Sequence, residues 1–471
     1  SLKLTAPSLS VAIVERGVGQ RPRIGETLPP NIQPVLEQLG VWKDFLAAGH
    51  LPAYGTSSAW GGSELYENEF IYSPYGRGWR LDRQRFDAML SREAEVRGVD
   101  LYGSHTVSPH ARRAGGRWQL MIEGPAGESL LLEPRLIVDA TGRSASFASR
   151  QGARKIFFDR LVGAFMTFRS STGNPSANTY TLVESFEDGW WYSGVLPCDQ
   201  IVVSCMTDSD IAKRRNLKSQ SLQSSQSPQS SLSPLSSLSS WMGLVETTRY
   251  TRARIAGAVP DGPPSIRAAY SHRLDRVTGD GWIAVGDAAS CFDPLSSQGI
   301  MKALRSGILA SYAVHDSFHG LSSGLEKYSR IVEQEFDSYL DTRSEFHRQE
   351  RRWPTSPFWK RRHQRISLDP MELLCGTGNN PRTAAWRSAR AYKSIPTGLP
   401  DEDIEFMLSI CGTPRRAHEL VSEFRDRSPR PMPDQRIIQA IQSLIEQGLI
   451  EQRAVANNAS GQNVHEAGAT R

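Results

Sequence analysis

Three stretches of the chain repeat one pattern: a largely apolar run, a carboxylate close behind it, then a turn of small residues. Leu9-Ser10-Val11-Ala12-Ile13-Val14 leads to Glu15 and Arg16, Leu136-Ile137-Val138 to Asp139-Ala140-Thr141-Gly142, and Trp282-Ile283-Ala284-Val285 to Gly286-Asp287. Short apolar runs bounded by turn residues read as buried strands. The third continues through Ala288 to Gly299 into a helix-like segment, Ile300 to Tyr312. An acid at the carboxyl end of a strand can accept hydrogen bonds from sugar or polyol hydroxyls. A Gly turn at a helix start lets backbone N–H groups approach an anionic or electron-rich ring. One such motif alone fits an ordinary strand–turn–helix connection as well. Several in one order favour a flavin, whose ribityl chain needs acceptors and whose reduced ring needs donors.

Further along, the pattern changes. Leu161 to Arg169, Tyr180 to Phe186, Trp190 to Leu196 and Ile201 to Met206 are strand-like runs with Gly, Pro, Asn and Asp between them, predicting an antiparallel sheet. Alternation puts Trp191 on the face opposite Trp190 and Tyr192. Trp191 and Tyr192 are then either substrate contacts or core packing of a sheet face. Ser219 to Ser240, rich in Ser, Gln, Leu and Pro, reads as a flexible loop or linker, with a lid or partner-binding loop as the alternative. A helical pattern runs from Gly324 to Arg362, and Pro354 should stop or kink it. Its basic and aromatic end, Arg351 to Arg362, fits nucleic-acid contact less well than aromatic packing onto the flavin domain, with arginines at the polar edge. Asp401 to Ile410, Pro414 to Phe424 and Asp434 to Gln447 read as amphipathic helices, and Gly448 as a C-cap before a short strand-like end. That unit is winged-helix-like, and Arg415, Arg416 and His418 are too few for a convincing DNA face.

Composition narrows the class. The chain has 471 residues, 39% of them hydrophobic, enough for two or three domains with a sizeable core. A net charge of +5 suits anionic cofactors and is too weak to argue for nucleic acid or membrane binding. No apolar run is long enough to span a bilayer. Five scattered cysteines (Cys198, Cys205, Cys291, Cys375, Cys411) lack metal-ligand spacing, so free thiols in a reducing, cytoplasmic setting are expected, with no metal. Cys291 reads as a small filler of the presumed flavin turn.

Together with Arg23-Ile24-Gly25-Glu26 and with Arg83 of Leu81-Asp82-Arg83-Gln84-Arg85-Phe86-Asp87, these motifs resemble the flavin-dependent monooxygenase superfamily of aromatic hydroxylases and tryptophan halogenases, over residues 9–360. The resemblance implies an α/β fold with a Rossmann-like FAD-binding domain and an antiparallel-sheet substrate domain, aromatic hydroxylase-like. The C-terminal unit adds a small α-helical winged-helix-like domain. Expected boundaries are 1–150 for the first part of the FAD-binding domain, 151–275 for the mainly β substrate domain with its Ser-rich loop at 219–240, and 276–362 for the second FAD-binding part and long helix. A linker at 363–399, the winged-helix-like domain at 400–453 and a disordered tail at 454–471 follow. By the same resemblance Glu15, with Arg16, meets the adenosine ribose, and Arg23 and Arg83 line the flavin and its phosphates. From the residues alone, each Arg fits a solvated surface charge equally. Gly286 and Asp287 would contact the linker between ring and adenine, while Pro294, Ser297, Gln298 and Gly299 border the isoalloxazine. A first strand and a G-x-G-x-x-G loop should precede Leu9. Ser1 to Ala6 reads like the end of the helix after that loop, so those residues are expected to have been lost ahead of Ser1.

The implied chemistry is FAD-dependent: reduced by NAD(P)H or a flavin reductase, the cofactor reacts with O2 to a C4a-hydroperoxide that transfers oxygen to an aromatic ring. A halogenase of this superfamily would carry a lysine after the segment matching Gly25-Glu26-Thr27-Leu28-Pro29. Ala53 to Glu64 holds none, which favours hydroxylation. Glu26 and Glu184 are the candidate catalytic carboxylates, though each reads more readily as a surface or supporting group. Gly25 to Pro30, Ala59-Trp60-Gly61, Ser73 to Trp79 and Arg352 to Trp359 resemble flavoproteins that mature quinone-cofactor amine-oxidising enzymes, quinohemoprotein amine dehydrogenase among their targets. The resemblance implies a polypeptide substrate, an amine dehydrogenase subunit whose tryptophan is hydroxylated during tryptophylquinone biogenesis. Neither nucleic acid nor membrane is an expected partner. Two alternatives stay open: a hydroxylase of a free small aromatic compound, and a flavin-linked DNA-binding regulator.

Overall fold

The computed structural model describes residues 1–17, 25–170, 179–197, 199–217, 234–363, 368–378, 396–428 and 432–453. They divide into two compact units, Ser1–Gln364 and Arg365–Arg471. No described helix is long and apolar enough to cross a membrane.

In the first unit the apolar runs with terminal acids are parallel strands. Val11–Glu15 pairs with Val99–Gly103, and Ile137–Asp139 with Trp282–Ala284. Among the described residues the two pairs are separate sheets. Short helix Leu2–Thr5 is tied to helix Gly299–Phe318, where Ser1 Oγ donates to the Gly307 carbonyl at 2.9 Å and Thr5 Oγ1 lies 2.9 Å from Ser311 Oγ. Helix Gly299–Phe318 serves two cores. Met301 and Ile308 pack with Leu28, Ile32 and Phe86, while Ala310, Ala313 and Val314 pack with Ile283 and Tyr328. It thereby holds the Gly25 and Arg83 region and the Asp139 and Asp287 strands on one support.

The eight-stranded sheet of this unit runs in the order Val259–Pro260, Leu161–Arg169, Gln200–Asp208, Gly189–Leu196, Thr181–Phe186, Gly55–Ala59, Tyr66–Glu69, with Ser265–Ala268 also paired to Leu161–Arg169. Neighbours are antiparallel except Gly55–Ala59, which runs parallel to Thr181–Phe186. Gly55–Ala59 and Tyr66–Glu69 thus extend the sheet expected to form the substrate domain, although the expected boundary left them in the FAD-binding part. Their Gly, Thr, Ser and charged residues gave no apolar alternation to read.

The sheet's two faces have different covers. Trp191 and Phe186 pack beneath helix Pro234–Val245 with Trp241, whose indole N–H donates to the Ala164 carbonyl at 2.9 Å. Part of the Ser-rich stretch expected as a loop is therefore helix, because Leu238, Trp241 and Val245 recur at helical spacing and bury one side. Residues 218–233 lie outside the described residues. On the opposite face Trp190 and Tyr192 pack with Phe358 and Trp359.

Helix Ser323–Gln349 ends before Pro354, and Pro357–His363 forms a new helix. The aromatic residues of this segment pack on the large sheet, a correction to the expected packing on the flavin domain. Trp359 Nε1 donates to the Phe186 carbonyl at 2.8 Å, and Trp60 Nε1 to the Phe346 carbonyl at 2.8 Å. Arg361 Nη1 and Arg362 Nη2 pair with the Asp208 carboxylate at 2.8 and 2.9 Å, and Arg361 Nη2 with Asp210 at 2.7 Å. These two guanidinium groups neutralise buried and half-buried carboxylates.

The second unit packs helices Asp401–Ile410, Ala417–Arg427 and Asp434–Glu446 with a three-stranded antiparallel sheet. Strand Leu373–Gly376 is central, between Arg415–Arg416 and Ile450–Arg453. The stretch 363–399 expected as linker therefore supplies a strand of this unit, with Leu374 wholly buried in its core. Arg415 Nη1 donates to Glu423, the Arg416 N–H to Glu419 at 3.0 Å, and His418 Nδ1 sits 2.7 Å from the Pro370 carbonyl. The tail 454–471 lies outside the described residues.

Candidate functional site

The loop after strand Trp282–Ala284 is locked to the helix that follows it. Gly286 has φ 57°, a conformation L side chains rarely adopt, and an added Cβ would lie 3.2 Å from Ala303. Its N–H donates to Ser306 Oγ at 2.7 Å. Asp287 is partly exposed and accepts a hydrogen bond from Lys302 Nζ at 3.0 Å. Cys291 Sγ donates to the Asp287 carbonyl at 3.2 Å, and burial, then the Asp287 charge, pushes its thiol up to about 12. That thiol is filler. Asp293 caps the turn Pro294–Ser296 by accepting from the Leu295 N–H at 3.0 Å, and Ser297 adopts φ 50°. Gln298 and Gly299 then open the helix Gly299–Phe318, which has no side-chain cap, so its first-turn N–H groups form an uncapped positive end of a 20-residue helix.

Asp293 makes this loop pH-sensitive. Burial pushes its carboxyl up to about 6, with Arg343 and Arg362 opposing and Asp159 adding. An unfolded Asp titrates near about 4, so the folded state binds this proton more tightly. Its stabilising effect is complete below about pH 4 and is lost as pH rises through 6. Asp293→Asn keeps an acceptor for Leu295 and removes the buried charge. We expect it to raise stability at pH 8 by roughly 2–3 kcal/mol and to change little at pH 4. Melting curves across that range test this; an equal offset at both ends would refute the assignment.

Beside the loop lies a polar cluster. His272 stands opposite Cys291 in the strand register and is 1% exposed, and among the described residues neither ring nitrogen has a partner. Burial and then the nearby charges of Arg143, Lys155 and Lys302 push its imidazole down to about 3, so it is neutral at physiological pH. Arg143 Nε is likewise without a partner. Asp139 is different: its Oδ1 accepts from the Thr141 N–H and hydroxyl at 2.9 and 2.6 Å, and its Oδ2 from the Ala148 N–H at 2.8 Å. It organises its own turn. A half-engaged Asp287, an uncapped helix start and unpartnered buried donors fit the ribityl, phosphate and ring edges of a flavin.

Other residues expected at the cofactor are spread over neighbouring elements. Glu15 ends strand Val11–Glu15 and Arg16 follows it, exposed. Arg23 lies outside the described residues. Arg83 opens helix Arg83–Val96, and its Nη1 donates to the Gly25 carbonyl at 3.0 Å, joining the two segments. Pro294, Ser297, Gln298 and Gly299 form the turn into the long helix.

Next to Gly25 lies a buried network that the sequence did not announce. Arg80 is wholly buried and donates to Thr27 Oγ1, to Tyr192 Oη at 3.2 Å and to Thr181 Oγ1 at 2.7 Å. Tyr192 Oη lies 2.8 Å from Thr27 Oγ1. Gly194 leaves the space, since a Cβ there would come within 2.8 Å of Arg80 Nη1. Arg254 donates to the Tyr180 and Ser193 carbonyls at 2.8 and 3.3 Å, and burial, then Arg80, pushes it down to about 10. Glu26 is buried too, and its Oε2 has no partner among the described residues. Burial raises its carboxyl above the usual range, against its own backbone N–H and the charges of Arg83 and Arg80. Tyr192 thus joins the large sheet to the antiparallel pair Thr27–Leu28 and Gly78–Arg80.

Two candidates are corrected. Glu184 accepts from the N–H groups of Arg249, Tyr250 and Thr251 at 2.8, 3.2 and 2.7 Å and from Thr251 Oγ1 at 2.7 Å, so it caps helix Tyr250–Arg254 and has no capacity left for catalysis. Trp191 is wholly buried against Phe186 and Trp241 and is a core residue. Lys302 and Arg80 were missed; Lys302 left a trace as a cation flanked by Ile300, Met301, Ala303 and Leu304, whereas Arg80 sits among other charged residues and left none.

This mixed-sheet α/β fold is similar to that of solved flavin-dependent halogenases. The putative FAD-dependent oxidoreductase LodB of Marinomonas mediterranea is 28% identical over 368 residues, 76% of this chain and 92% of that protein. The structure of the myxobacterial chondrochloren halogenase CndH matches with a TM-score of 0.67 at 21% identity, over 95% of both chains. That of the peptidyl tryptophan dihydroxylase QhpG, essential for tryptophylquinone cofactor biogenesis, matches with a TM-score of 0.54 at 20% identity, over 87% of this chain and 94% of that one. No family model matches the chain.

Proposed function

We propose that this chain is an FAD-dependent monooxygenase that hydroxylates a tryptophan side chain within a partner polypeptide during tryptophylquinone formation. The observation that carries the reading is the Asp287 loop: a half-engaged carboxylate and an uncapped 20-residue helix start, with unpartnered polar groups beside them. Glu15 would hold the adenosine ribose, Arg83 the phosphates, Asp287 the ribityl hydroxyls, and the N–H groups from Gln298 the ring edge. Bound FAD, given two electrons by NAD(P)H or a reductase, would activate O2 so that one oxygen atom enters the aromatic ring and the other leaves as water. The chain's own task is to exclude water, hold the indole and receive the proton that the oxygenated carbon gives up. Glu26 suits the last role, as a buried carboxylate whose Oε2 has no partner among the described residues, within the field of the Arg83 and Arg80 charges. Leu28, two residues on, shares a core with Met301 of the long helix.

The resemblance to QhpG supports a peptidyl tryptophan substrate, and the lysine-free stretch Ala53 to Glu64 supports oxygen rather than halogen transfer. A peptide carrying the target tryptophan of an amine dehydrogenase subunit, incubated with the chain, FAD, a flavin reductant, O2 and bromide, is expected to gain mass in steps of about one oxygen atom. A bromine-sized gain would make it a halogenase, and an unchanged peptide would remove the polypeptide reading.

A further inference from the structure

We propose that Lys302 is a positioning residue for the flavin, acting through Asp287 by fixing the carboxylate that meets the ribityl hydroxyls. The inference rests on the reading of this loop as an FAD site and adds a residue to it.

The placement of Lys302 is unfavourable on every local ground. It lies in the first turn of helix Gly299–Phe318, where the helix dipole repels a cation. Its side chain is 6% exposed, and a buried ammonium is tolerated only when it is paired. Ile300, Met301 and Leu304 beside it pack into the apolar core of that helix. A leucine or methionine would serve the packing at no electrostatic cost. Three contacts compensate the charge, and all three belong to the Asp287 loop. Nζ donates to Asp287 Oδ1 at 3.0 Å and to the Ser290 carbonyl, and it sits 4.7 Å from the centre of the Phe292 ring.

The geometry is one-sided. Lys302 engages only Oδ1, while the Asp287 side chain is 38% exposed. The ammonium therefore grips the carboxylate from the protein side and leaves its outer side for a ligand. Asp139, at the end of the adjacent parallel strand, shows the contrasting case. Both of its oxygens are taken by Thr141 and Ala148, and it is buried. One strand-end acid is closed and structural, and the other is held half open by a lysine whose ammonium contacts among the described residues all lie in the Asp287 loop.

A double-mutant cycle on FAD affinity, read by flavin fluorescence without turnover, tests this. Lys302→Met and Asp287→Asn are each expected to weaken FAD binding by roughly 10- to 100-fold, the loss expected when a hydrogen bond involving a charged group is removed or misplaced. The double variant should bind within about threefold of Asp287→Asn alone, because Lys302 has nothing left to position. Lys302→Arg, which keeps the charge, should recover most of the affinity, and Lys302→Gln provides a polar replacement should the Met variant fold poorly. A merely structural lysine gives a different result: lower melting temperature of the FAD-free chain and a loss that adds to that of Asp287→Asn. Additive losses, or wild-type affinity in Lys302→Met and Lys302→Gln, would overturn the inference while leaving the flavin reading in place. If the wild-type chain takes up no FAD, both are overturned together.

Discussion

Glu26→Gln is expected to reduce hydroxylation by about 100-fold while leaving FAD affinity within a few-fold of wild type, the usual scale for losing one proton-transfer group. Glu26 is buried with one oxygen unengaged among the described residues, and its neighbours are fixed by other contacts: Arg80 by Thr27, Thr181 and Tyr192, and Arg83 by Gly25. An amide of the same size preserves that packing and removes the base. The pH dependence gives a second readout. Burial raises this carboxyl, so the ionised form needed to accept a proton appears only at higher pH than for an ordinary Glu. The wild-type rate should rise with pH through that raised value, and Glu26→Gln should lose the limb along with the rate. A variant of full activity, or one that keeps the limb, would assign the proton transfer elsewhere.

The largest stability effect is expected at Trp359. It is wholly buried, stands edge-on to Trp60 and Phe358, and donates to the Phe186 carbonyl at 2.8 Å. Trp359→Ala removes a large ring from a packed core together with its hydrogen bond to that carbonyl, a cost of about 3–5 kcal/mol. Trp359→Phe keeps much of the volume and loses chiefly the hydrogen bond, about 1–2 kcal/mol. Denaturant unfolding followed by circular dichroism separates the two. Near-identical midpoints for both variants would mean that the helix Pro357–His363 is not anchored to the sheet through this side chain.

The corrections share a cause. Glu184 looked like a pocket carboxylate because it lies in a strand of the large sheet, yet its partners are the N–H groups of residues 249–251, more than sixty positions away in sequence. Strand Gly55–Ala59 carries no apolar alternation, and it is a strand because Thr181–Phe186 offers it a parallel edge. The helix beginning at Pro234 was hidden inside a Ser-rich composition, and it forms because Trp241 finds a cavity beneath the sheet next to Trp191. Lys302 and Asp287 are fifteen residues apart, and nothing in their spacing says that a loop folds back to bring an ammonium under a carboxylate.

The sequence by itself determined the strands with their terminal acids, the four central runs of the large sheet, the long helix start at Gly299 and the class of cofactor these suit. Those features are written in local periodicity and in turn residues, which act over a few positions and survive reading one residue at a time. The tertiary structure alone decided which carboxylates are spent and which remain free. Among the described residues, Asp139 and Glu184 are saturated by backbone N–H and hydroxyl donors, while Asp287 and Glu26 keep an oxygen to offer. Hydrogen-bond capacity is limited and is consumed by whatever the fold brings near, so availability for chemistry is a property of the packed molecule rather than of the residue type.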